Sequence, residues 1–219
     1  HLSIRRQRQM CIRDRGYQIV PGNDLFIHNE GLLEACLPNA NITWTRFPAG
    51  QDIVQGFAAG SADIGFVGST PAAKALSAPL NLDVKVPLIN VLNQESEALV
   101  AKHAKTIQEL KGKKIATPFS STSHYALLNA LKQAGLDPKH DVEIVNISPD
   151  KLPAAWKSNE VEAAFIWNPT LAELQRTGTT LIDAGVLGKH GAPTFNATIV
   201  DRSWACLLYT SPSPRDGLL

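Results

Sequence analysis

Two turns rich in Ser and Thr could hold an anion. Residues 67–76 read VGSTPAAKAL and residues 118–128 read PFSSTSHYALL, so each turn leads into a stretch with a helical pattern. Pro71 suits the first position of a helix, where its missing N–H would have no partner. The free N–H groups and the positive end of the helix dipole attract negative charge, and hydroxyl groups add donors without adding charge. Each turn could also be a plain N-cap, but one cap needs one hydroxyl and the second turn has four, which favours an anion site.

The anion that such turns suit is a singly charged oxyanion. No Arg or Lys lies in the turns themselves, residues 68–71 and 118–123. A phosphate group, with up to two charges, commonly recruits a basic residue or a glycine-rich loop that ends in Lys. Dipoles alone could hold a tetrahedral oxyanion with one charge, so we expect a ligand of that class.

The sequence has no pattern typical of hydrolytic catalysis or of metal binding. His124 follows Ser123, but adjacent positions on a helix point in different directions, and no G-x-S-x-G motif is present. The six His show no metal-binding spacing such as H-E-x-x-H. We therefore expect neither a hydrolase nor a metal site.

Other polar and aromatic residues are weaker candidates for the site. Trp167 follows an apolar stretch and is either a core residue or a wall that faces the ligand, because an aromatic face suits a short aliphatic chain or an ammonium group. Gln18 lies toward the end of the first predicted strand, and Glu95, Ser96 and Glu97 lie near a predicted crossover between lobes. Residues at such positions are solvated loop residues by default.

The elements that must position these turns alternate between strand and helix. Strands are predicted at residues 16–20, 41–47, 62–67, 97–102, 113–119, 142–147 and 161–167. Helices are predicted at residues 25–37, 52–60, 71–76, 121–135, 149–159 and 168–178. In the first helix the spacing of Leu25, Leu32, Leu33 and Leu37 predicts a face toward the core. This alternation indicates an α/β protein with mostly parallel sheets.

One α/β plan occurs twice along the chain. Residues 52–76 and residues 150–174 both run helix, stop, acidic residue, apolar strand, turn with Pro, helix. The pattern predicts two lobes whose matching turns face one cleft, since ligands of such sheets bind beyond the carboxyl ends of the strands. The alternative is a fortuitous match between two common turns.

Composition and charge exclude several classes of protein. The chain has 219 residues and 44% apolar residues, which is ordinary for a globular protein. No run approaches the roughly 18 uncharged apolar residues of a membrane helix. Residues 16–204 hold 15 basic and 18 acidic side chains and no basic stripe, so we expect no nucleic-acid partner.

Both ends of the chain differ in character from its body. The ends resemble read-through translations of sequencing-adapter DNA, in RQRQMCIRDR near the start and in CLLYTSPSPRD near the end. Residues 1–15 and 205–219 are therefore interpreted as non-native. A native arm at each end is the alternative. Cys36 is then the only Cys of the body, and no internal disulfide is predicted.

Several motifs, in order and spacing, resemble the taurine-binding proteins of bacterial ABC importers. They are GYQ at 16–18, FPAGQDIV, SADIGFVGSTPAA, ESEALVAK, LKGKKIATPFSSTSHYALLNAL, VEIVNISP, AAWKSNEVEAAFIWNP and GAPT at 191–194. The resemblance implies an α/β, two-lobe periplasmic-binding-protein-like fold of type II with an incomplete first lobe. It divides the chain into lobe 1 at 16–96, lobe 2 at 97–195 and a return toward lobe 1 at 196–204.

The resemblance also implies a function and a set of ligand-binding residues. It predicts a monomeric periplasmic protein, not an enzyme and without a cofactor, that closes on taurine or a related sulfonate and delivers it to a membrane permease and ATPase. Under this resemblance we expect that the signal peptide of the family is missing from this fragment. The ligand-binding candidates are Gln18, Gly68, Ser69, Thr70, Ser121, Thr122, His124, Trp167 and Asn196.

This chain departs from the family pattern in two ways. Where taurine-binding relatives place an acidic residue after GAPT, this chain has Asn196, whose neutral amide predicts weaker taurine binding and relatively better binding of a plain alkanesulfonate. Relatives also continue well beyond Trp204 with helices that complete the first lobe. We therefore expect exposed core residues and poor solubility for the 219-residue chain.

Two alternatives of other classes remain. One is a binding protein or synthase for a thiamine pyrimidine precursor on the same fold; the synthases resemble one another in a cysteine-rich segment and a cofactor lysine, for which this chain shows no counterpart. The other is the ligand-sensing domain of a regulator. Within binding proteins, nitrate, phosphonate and sulfate-ester ligands stay open, because fold does not select among them.

Overall fold

The protein is built from two five-stranded sheets, each with helices packed against it. The computed structural model describes the backbone of residues 12–209 and the side chains of residues 14–205. The strands are β1 Ile12–Tyr17, β2 Asn41–Arg46, β3 Ile64–Gly68, β4 Val84–Leu92, β5 Glu97–Ala101, β6 Lys114–Thr117, β7 Glu143–Asn146, β8 Ala163–Trp167, β9 Thr179–Asp183 and β10 Phe195–Asp201. The helices are α1 Asn23–Asn29, α2 Leu32–Cys36, α3 Gly50–Ala58, α4 Ser69–Leu76, α5 Thr122–Gln133, α6 Leu152–Lys157, α7 Thr170–Gln175, α8 Ala184–Lys189 and α9 Arg202–Tyr209.

The two sheets share one topology. The first has the strand order β2-β1-β3-β10-β4 and the second β7-β6-β8-β5-β9. In each sheet the first three strands of this order are parallel. The fourth runs antiparallel to both of its neighbours. Four strands of each sheet thus run in one direction and one runs against them, so the sheets are mostly parallel in direction, as expected, but mixed because of that one strand.

The antiparallel strand of each sheet is the strand with which the chain arrives from the other sheet. β5 begins the second sheet directly after β4 has ended the first, and β10 returns to pair with β3 and β4. We call the first sheet with α1 to α4 and α9 lobe 1, and the second sheet with α5 to α8 lobe 2. The chain crosses between the lobes at residues 93–96 and again at residues 190–194.

The core of lobe 2 lies on both faces of its sheet. All five residues of β5 are buried, and so are four of the five in β8. Leu99 and Phe165 face one cluster of apolar side chains, whereas Val100 and Ile166 face another. Continuous apolar runs of this kind are typical of strands that are covered by helices on both sides.

The predicted helix at 25–37 is two short helices instead. Gly31 lies between α1 and α2 with a φ of 61°, the left-handed region that glycine adopts without steric cost. Leu32 and Leu37 are 41% and 45% exposed, so the predicted apolar face does not point to a core. The break at Gly31 rotates α2 relative to α1, and the helical spacing no longer describes one surface.

The start of β1 and three further strands also differ from the prediction. β1 begins at Ile12, so residues 12–15 of the segment interpreted as non-native pair with β2. The non-native interpretation of residues 1–15 and 205–219 stays a prediction. No strand was predicted for β4, β9 or β10. Within residues 12–209 no helix is long and apolar enough to cross a membrane.

Candidate ligand site between the two lobes

A cavity of about 290 Å³ lies between the two lobes, beyond the carboxyl ends of β1, β3 and β8. Its lining is Gln18, Val20, Pro21, Gly22, Asn23, Gly50, Phe66, Gly68, Pro71, Asn90, Val91, Asn93, Ser96, Glu97, Ser121, Thr122, Trp167, Asn168 and Asn196. Both lobes contribute to this lining, and most of its polar groups are uncharged. The predicted cleft site and the cavity therefore coincide in six residues: Gln18, Gly68, Ser121, Thr122, Trp167 and Asn196.

The starts of two helices meet at this cavity. Gly68 is the N-cap of α4, and Ser121 is the N-cap of α5. A Cβ atom at Gly68 would lie 2.6 Å from Cγ2 of Thr122, so the two lobes are in contact here. The first N–H groups of an α-helix have no intrahelical acceptor and carry the positive end of the helix dipole. Two such ends beside one cavity could hold an anion.

The hydroxyl groups of the second turn bind other parts of the protein. The Oγ of Ser121 donates to the carbonyl of Pro118 at 2.6 Å and accepts from the N–H of His124 at 3.1 Å. The Oγ1 of Thr122 donates to Oε1 of Glu97 at 2.7 Å, and the Oγ of Ser123 donates to the same oxygen at 2.5 Å. A hydroxyl has one proton to donate. The hydroxyls of Thr122 and Ser123 thus contact Glu97 and that of Ser121 caps α5, so the donors that this turn leaves for an anion are backbone N–H groups.

Glu97 is a buried carboxyl group at the wall of the cavity. It is only 1% exposed, so the default interpretation of Glu97 as a solvated loop residue was wrong. Burial raises the pKa of Glu97, and the hydrogen bonds from Ser123, Thr122 and Asn93 oppose that rise. The residue lies at the first position of β5, where the crossover from lobe 1 enters lobe 2. The sequence signal for Glu97 was an acidic residue at the start of an apolar stretch. That signal does not reveal its burial, because burial depends on the packing of α5 over β5.

A chain of amide and hydroxyl groups joins the two crossovers beside Glu97. The N–H of Asn93 donates to the carbonyl of Thr194 at 2.9 Å, and Nδ2 of Asn93 lies 3.2 Å from Oγ1 of Thr194. Nδ2 of Asn196 donates to Oδ1 of Asn93 at 2.9 Å. These contacts hold the side chain of Asn93 in one orientation at the cavity wall.

Gln18 of lobe 1 and Trp167 of lobe 2 both line the cavity. The amide Nε2 of Gln18 donates to the carbonyl of Phe66 at 3.0 Å, and the side chain is 8% exposed. Trp167 is the last residue of β8 and is half-buried, so it is partly core and partly wall. Both positions suit contact with a small ligand that is polar at one end and aliphatic in the middle.

Three of the nine predicted residues do not line the cavity. Ser69 accepts from the N–H of Phe195 at 3.4 Å, and Thr70 follows it in α4. His124 stacks on Phe119 with ring centroids 4.7 Å apart. Burial lowers the pKa of His124, and its Nδ1 accepts from the N–H of Ser120 at 3.2 Å, an arrangement that orders the turn.

Sequence reasoning missed the amide side chains of the lining. Asn23, Asn90, Asn93 and Asn168 join the predicted residues at the cavity. Asn23 begins α1, Asn90 lies on the unpredicted strand β4, and Asn93 and Asn168 lie in loops, so no periodic pattern marks them. Among the described residues no group of His, Cys, Asp and Glu has a metal-binding arrangement.

Two polar contacts join the lobes outside the cavity. Nη2 of Arg46, at the end of β2, lies 2.9 Å from both Oδ1 and Oδ2 of Asp150 in lobe 2. Nζ of Lys74 in α4 donates to Oγ of Ser120 at 3.0 Å. Together with the contact between Gly68 and Thr122, these bonds show that the two lobes lie close together in this structure.

The comparisons with known proteins agree with this architecture. A family model described as NMT1/THI5 like matches residues 45–200. The taurine-binding periplasmic protein of Escherichia coli strain K12 is 40% identical over 169 residues, which are 76% of this chain and 51% of the relative. The chain spans about half the length of the curated relatives it matches.

Solved structures of sulfonate-binding proteins have the same fold. The alkanesulfonate-binding protein SsuA from Xanthomonas axonopodis pv. citri, bound to MOPS, superposes with a TM-score of 0.76 at 26% identity and covers 90% of this chain and 67% of its own. The periplasmic aliphatic sulphonate binding protein SsuA from Escherichia coli gives a TM-score of 0.72 at 31% identity and covers 89% of this chain and 66% of its own. The two-lobe α/β fold is therefore that of periplasmic binding proteins.

Proposed function

This chain belongs to the NMT1/THI5-like family. We propose that it is the ligand-binding part of a solute-binding protein that binds taurine or a related sulfonate for uptake by an ABC importer. The observation that carries the proposal is the convergence of two helix starts, at Gly68 and Ser121, on one cavity lined by uncharged polar groups. Helix dipoles and backbone N–H groups can hold a sulfonate without a basic side chain. The relatives named for taurine and sulfonates support this choice of ligand.

The cavity also fits the rest of a short sulfonate. A volume of about 290 Å³ suits a ligand of few heavy atoms, and the ring of Trp167 offers an apolar surface to a two-carbon chain. Arg or Lys side chains, which a doubly charged phosphate commonly recruits, are not among the described residues of the lining. A singly charged sulfonate is therefore favoured over a phosphate.

Binding is coupled to closure of the two lobes. A ligand that contacts both helix starts binds the closed arrangement better than an open one, and this difference in affinity drives closure. The crossovers at 93–96 and 190–194 are the only covalent links between the lobes in residues 12–209, so they form the hinge. In this function the protein is a periplasmic monomer that delivers its ligand to a membrane permease and its ATPase and catalyses no reaction.

Calorimetry and thermal shift on the 219-residue chain test the proposal. The ligands are taurine, ethanesulfonate, sulfate, nitrate and a thiamine pyrimidine precursor. A ligand that binds only the folded state raises the melting temperature, and we expect this for at least one of the two sulfonates. Binding of nitrate or of the pyrimidine alone would contradict the sulfonate assignment.

A further inference from the structure

Glu97 is the only formally charged side chain among the described residues that line the cavity. Its oxygen Oε1 accepts from the hydroxyls of Thr122 and Ser123, and Asn93 is a further hydrogen-bonding neighbour of the carboxyl group. No described Lys, Arg or His forms an ion pair with it. Hydroxyl and amide dipoles orient a carboxylate, but they do not compensate its charge.

A buried carboxylate without a cation is costly, and a positive group on the ligand would remove that cost. Moving an ionised carboxyl out of water is unfavourable unless the charge is paired and hydrogen-bonded. The hydroxyl groups of Thr122 and Ser123 donate hydrogen bonds to Glu97, which lies at the wall of the ligand cavity. The remaining requirement, a cation, matches the ammonium group of an aminosulfonate.

The position of Glu97 discriminates between sulfonates with and without an ammonium group. Its carboxylate contacts the first residues of α5, where the sulfonate would also bind. Two negative charges at one helix start repel each other across a medium of low polarity. An alkanesulfonate adds a charge that nothing balances, whereas taurine brings its own positive charge into the cavity.

Asn196 has a contact that an acidic residue at the same position could not make. Its Nδ2 donates to Oδ1 of Asn93, and this bond leaves Nδ2 of Asn93 directed to Thr194 and available to Glu97. A carboxylate at position 196 has no proton to donate to Oδ1. Asn196 therefore suits the role of a positioning residue, which orients the amide of Asn93 toward Glu97.

From these contacts we propose that Glu97 is the specificity-determining charge that selects an aminosulfonate, and that Asn196 positions it through Asn93. The inference rests on the proposed function and reverses the preference expected from Asn196 alone. In that expectation the neutral amide at 196 favours a plain alkanesulfonate. In the structure the carboxyl group at the cavity wall is that of Glu97, at the start of β5.

Calorimetry with taurine and isethionate tests this assignment. Isethionate has a hydroxyl group in place of the ammonium of taurine and is otherwise the same sulfonate. We expect the unaltered chain to bind taurine at least about tenfold more tightly. Glu97→Gln keeps an oxygen that can accept from Thr122 and Ser123 but has no charge, and we expect it to lower taurine affinity at least about thirtyfold while isethionate binds equally or better.

Two further variants separate charge from structure. Glu95→Gln makes the same change at an exposed residue of the same segment and should alter neither affinity. Glu97→Gln combined with Asn196→Asp returns a carboxylate to the cavity lining and should recover about tenfold or more of the taurine preference.

The outcomes distinguish this inference from the proposed function. If the unaltered chain binds neither sulfonate, the proposed function fails. If it binds isethionate as well as taurine or better, the function stands and the role of Glu97 is wrong. Equal losses for both ligands in a folded Glu97→Gln variant would also overturn it. If that variant does not fold, the ligand preference of the unaltered chain decides alone.

Discussion

Gly68 and Thr122 bring the two lobes into contact at the point where two helices begin. A Cβ atom at Gly68 would lie 2.6 Å from Cγ2 of Thr122, closer than such atoms approach in proteins. The side chain of Thr122 also donates to buried Glu97, so it is not free to rotate away. Closure of the lobes thus requires the absence of a side chain at residue 68.

Gly68→Ala should lower sulfonate affinity about tenfold or more. The clash acts on the closed lobes and can be relieved by opening, so the melting temperature of the ligand-free protein should change little. Calorimetry with taurine and a thermal melt measure the two quantities. Gly188→Ala is the control, since a Cβ there would meet Pro193 at an ordinary 3.5 Å. An unchanged taurine affinity in Gly68→Ala would show that the lobes do not need this contact.

The ion pair between Arg46 and Asp150 should slow ligand release by a small amount that depends on salt. Both side chains are about half exposed, and pairs of this kind contribute about 0.2–1 kcal/mol. Arg46→Ala should therefore raise the dissociation rate at most about fivefold at low ionic strength, and less at 0.5 M salt where charges are screened. Stopped-flow fluorescence measures the rate.

A pair inside one lobe gives the matched control for Arg46. Lys114 and Glu143 form an exposed ion pair 3.2 Å long within lobe 2. Lys114→Ala should leave the dissociation rate of the ligand unchanged. Equal effects of the two substitutions would mean that net charge, and not the contact between lobes, governs release.

Ser121→Ala should destabilise the protein without removing a ligand contact. The Oγ of Ser121 caps α5 and already donates to Pro118, so we expect a loss of about 1 kcal/mol and a fall in melting temperature of about 2–4 °C. Taurine affinity should change less than about threefold. Ser77→Ala, at an exposed residue, is the control. A large loss of affinity at constant melting temperature would instead support the hydroxyl as a sulfonate donor.

The stability of the ligand-free protein should depend on pH through Glu97. Burial raises the pKa of Glu97 above the value of 4.5 that it has when exposed, as in the unfolded chain. The folded state then holds a proton that the unfolded state releases, so this stability is present below pH 4.5 and is lost as pH rises through the folded-state pKa. The difference in melting temperature between the unaltered chain and Glu97→Gln should grow over that range. Parallel pH profiles for the two proteins would contradict the raised pKa.

Charges placed on β4 should increase solubility. Leu88 and Leu92 are 56% and 60% exposed on a strand at the edge of the first sheet, and exposed apolar edges promote aggregation. Leu88→Lys with Leu92→Lys should raise the soluble fraction severalfold without lowering taurine affinity, since neither residue lines the cavity. Thr106→Lys with Gln133→Lys adds the same charge at exposed polar positions. If both pairs act alike, net charge is the cause.

The elements of the fold were predictable where apolar runs are long. β8 and α5 each hold a periodic or continuous apolar pattern, and the structure places a strand and a helix within the predicted ranges. β4 was not predicted because Pro87 interrupts its apolar run, and β10 was not predicted because polar residues break up its apolar pattern. The predicted helix at 25–37 was wrong because Gly31 takes a left-handed conformation.

The sequence by itself determined the α/β class, the two similar halves and the two turns that meet at the cavity, because these features depend on local pattern and on helix starts. Only the tertiary structure decided what the hydroxyls of Thr122 and Ser123 bind, since Glu97 is 25 and 26 residues away along the chain. It also decided that the carboxyl group at the cavity lies at residue 97 and that Asn196 contacts Asn93 across 103 residues. The contact of Glu97 with Thr122 and Ser123 depends on how α5 packs over β5 within lobe 2, and the contact of Asn196 with Asn93 depends on where β10 returns beside the first crossover. Residue spacing along the chain does not contain that information.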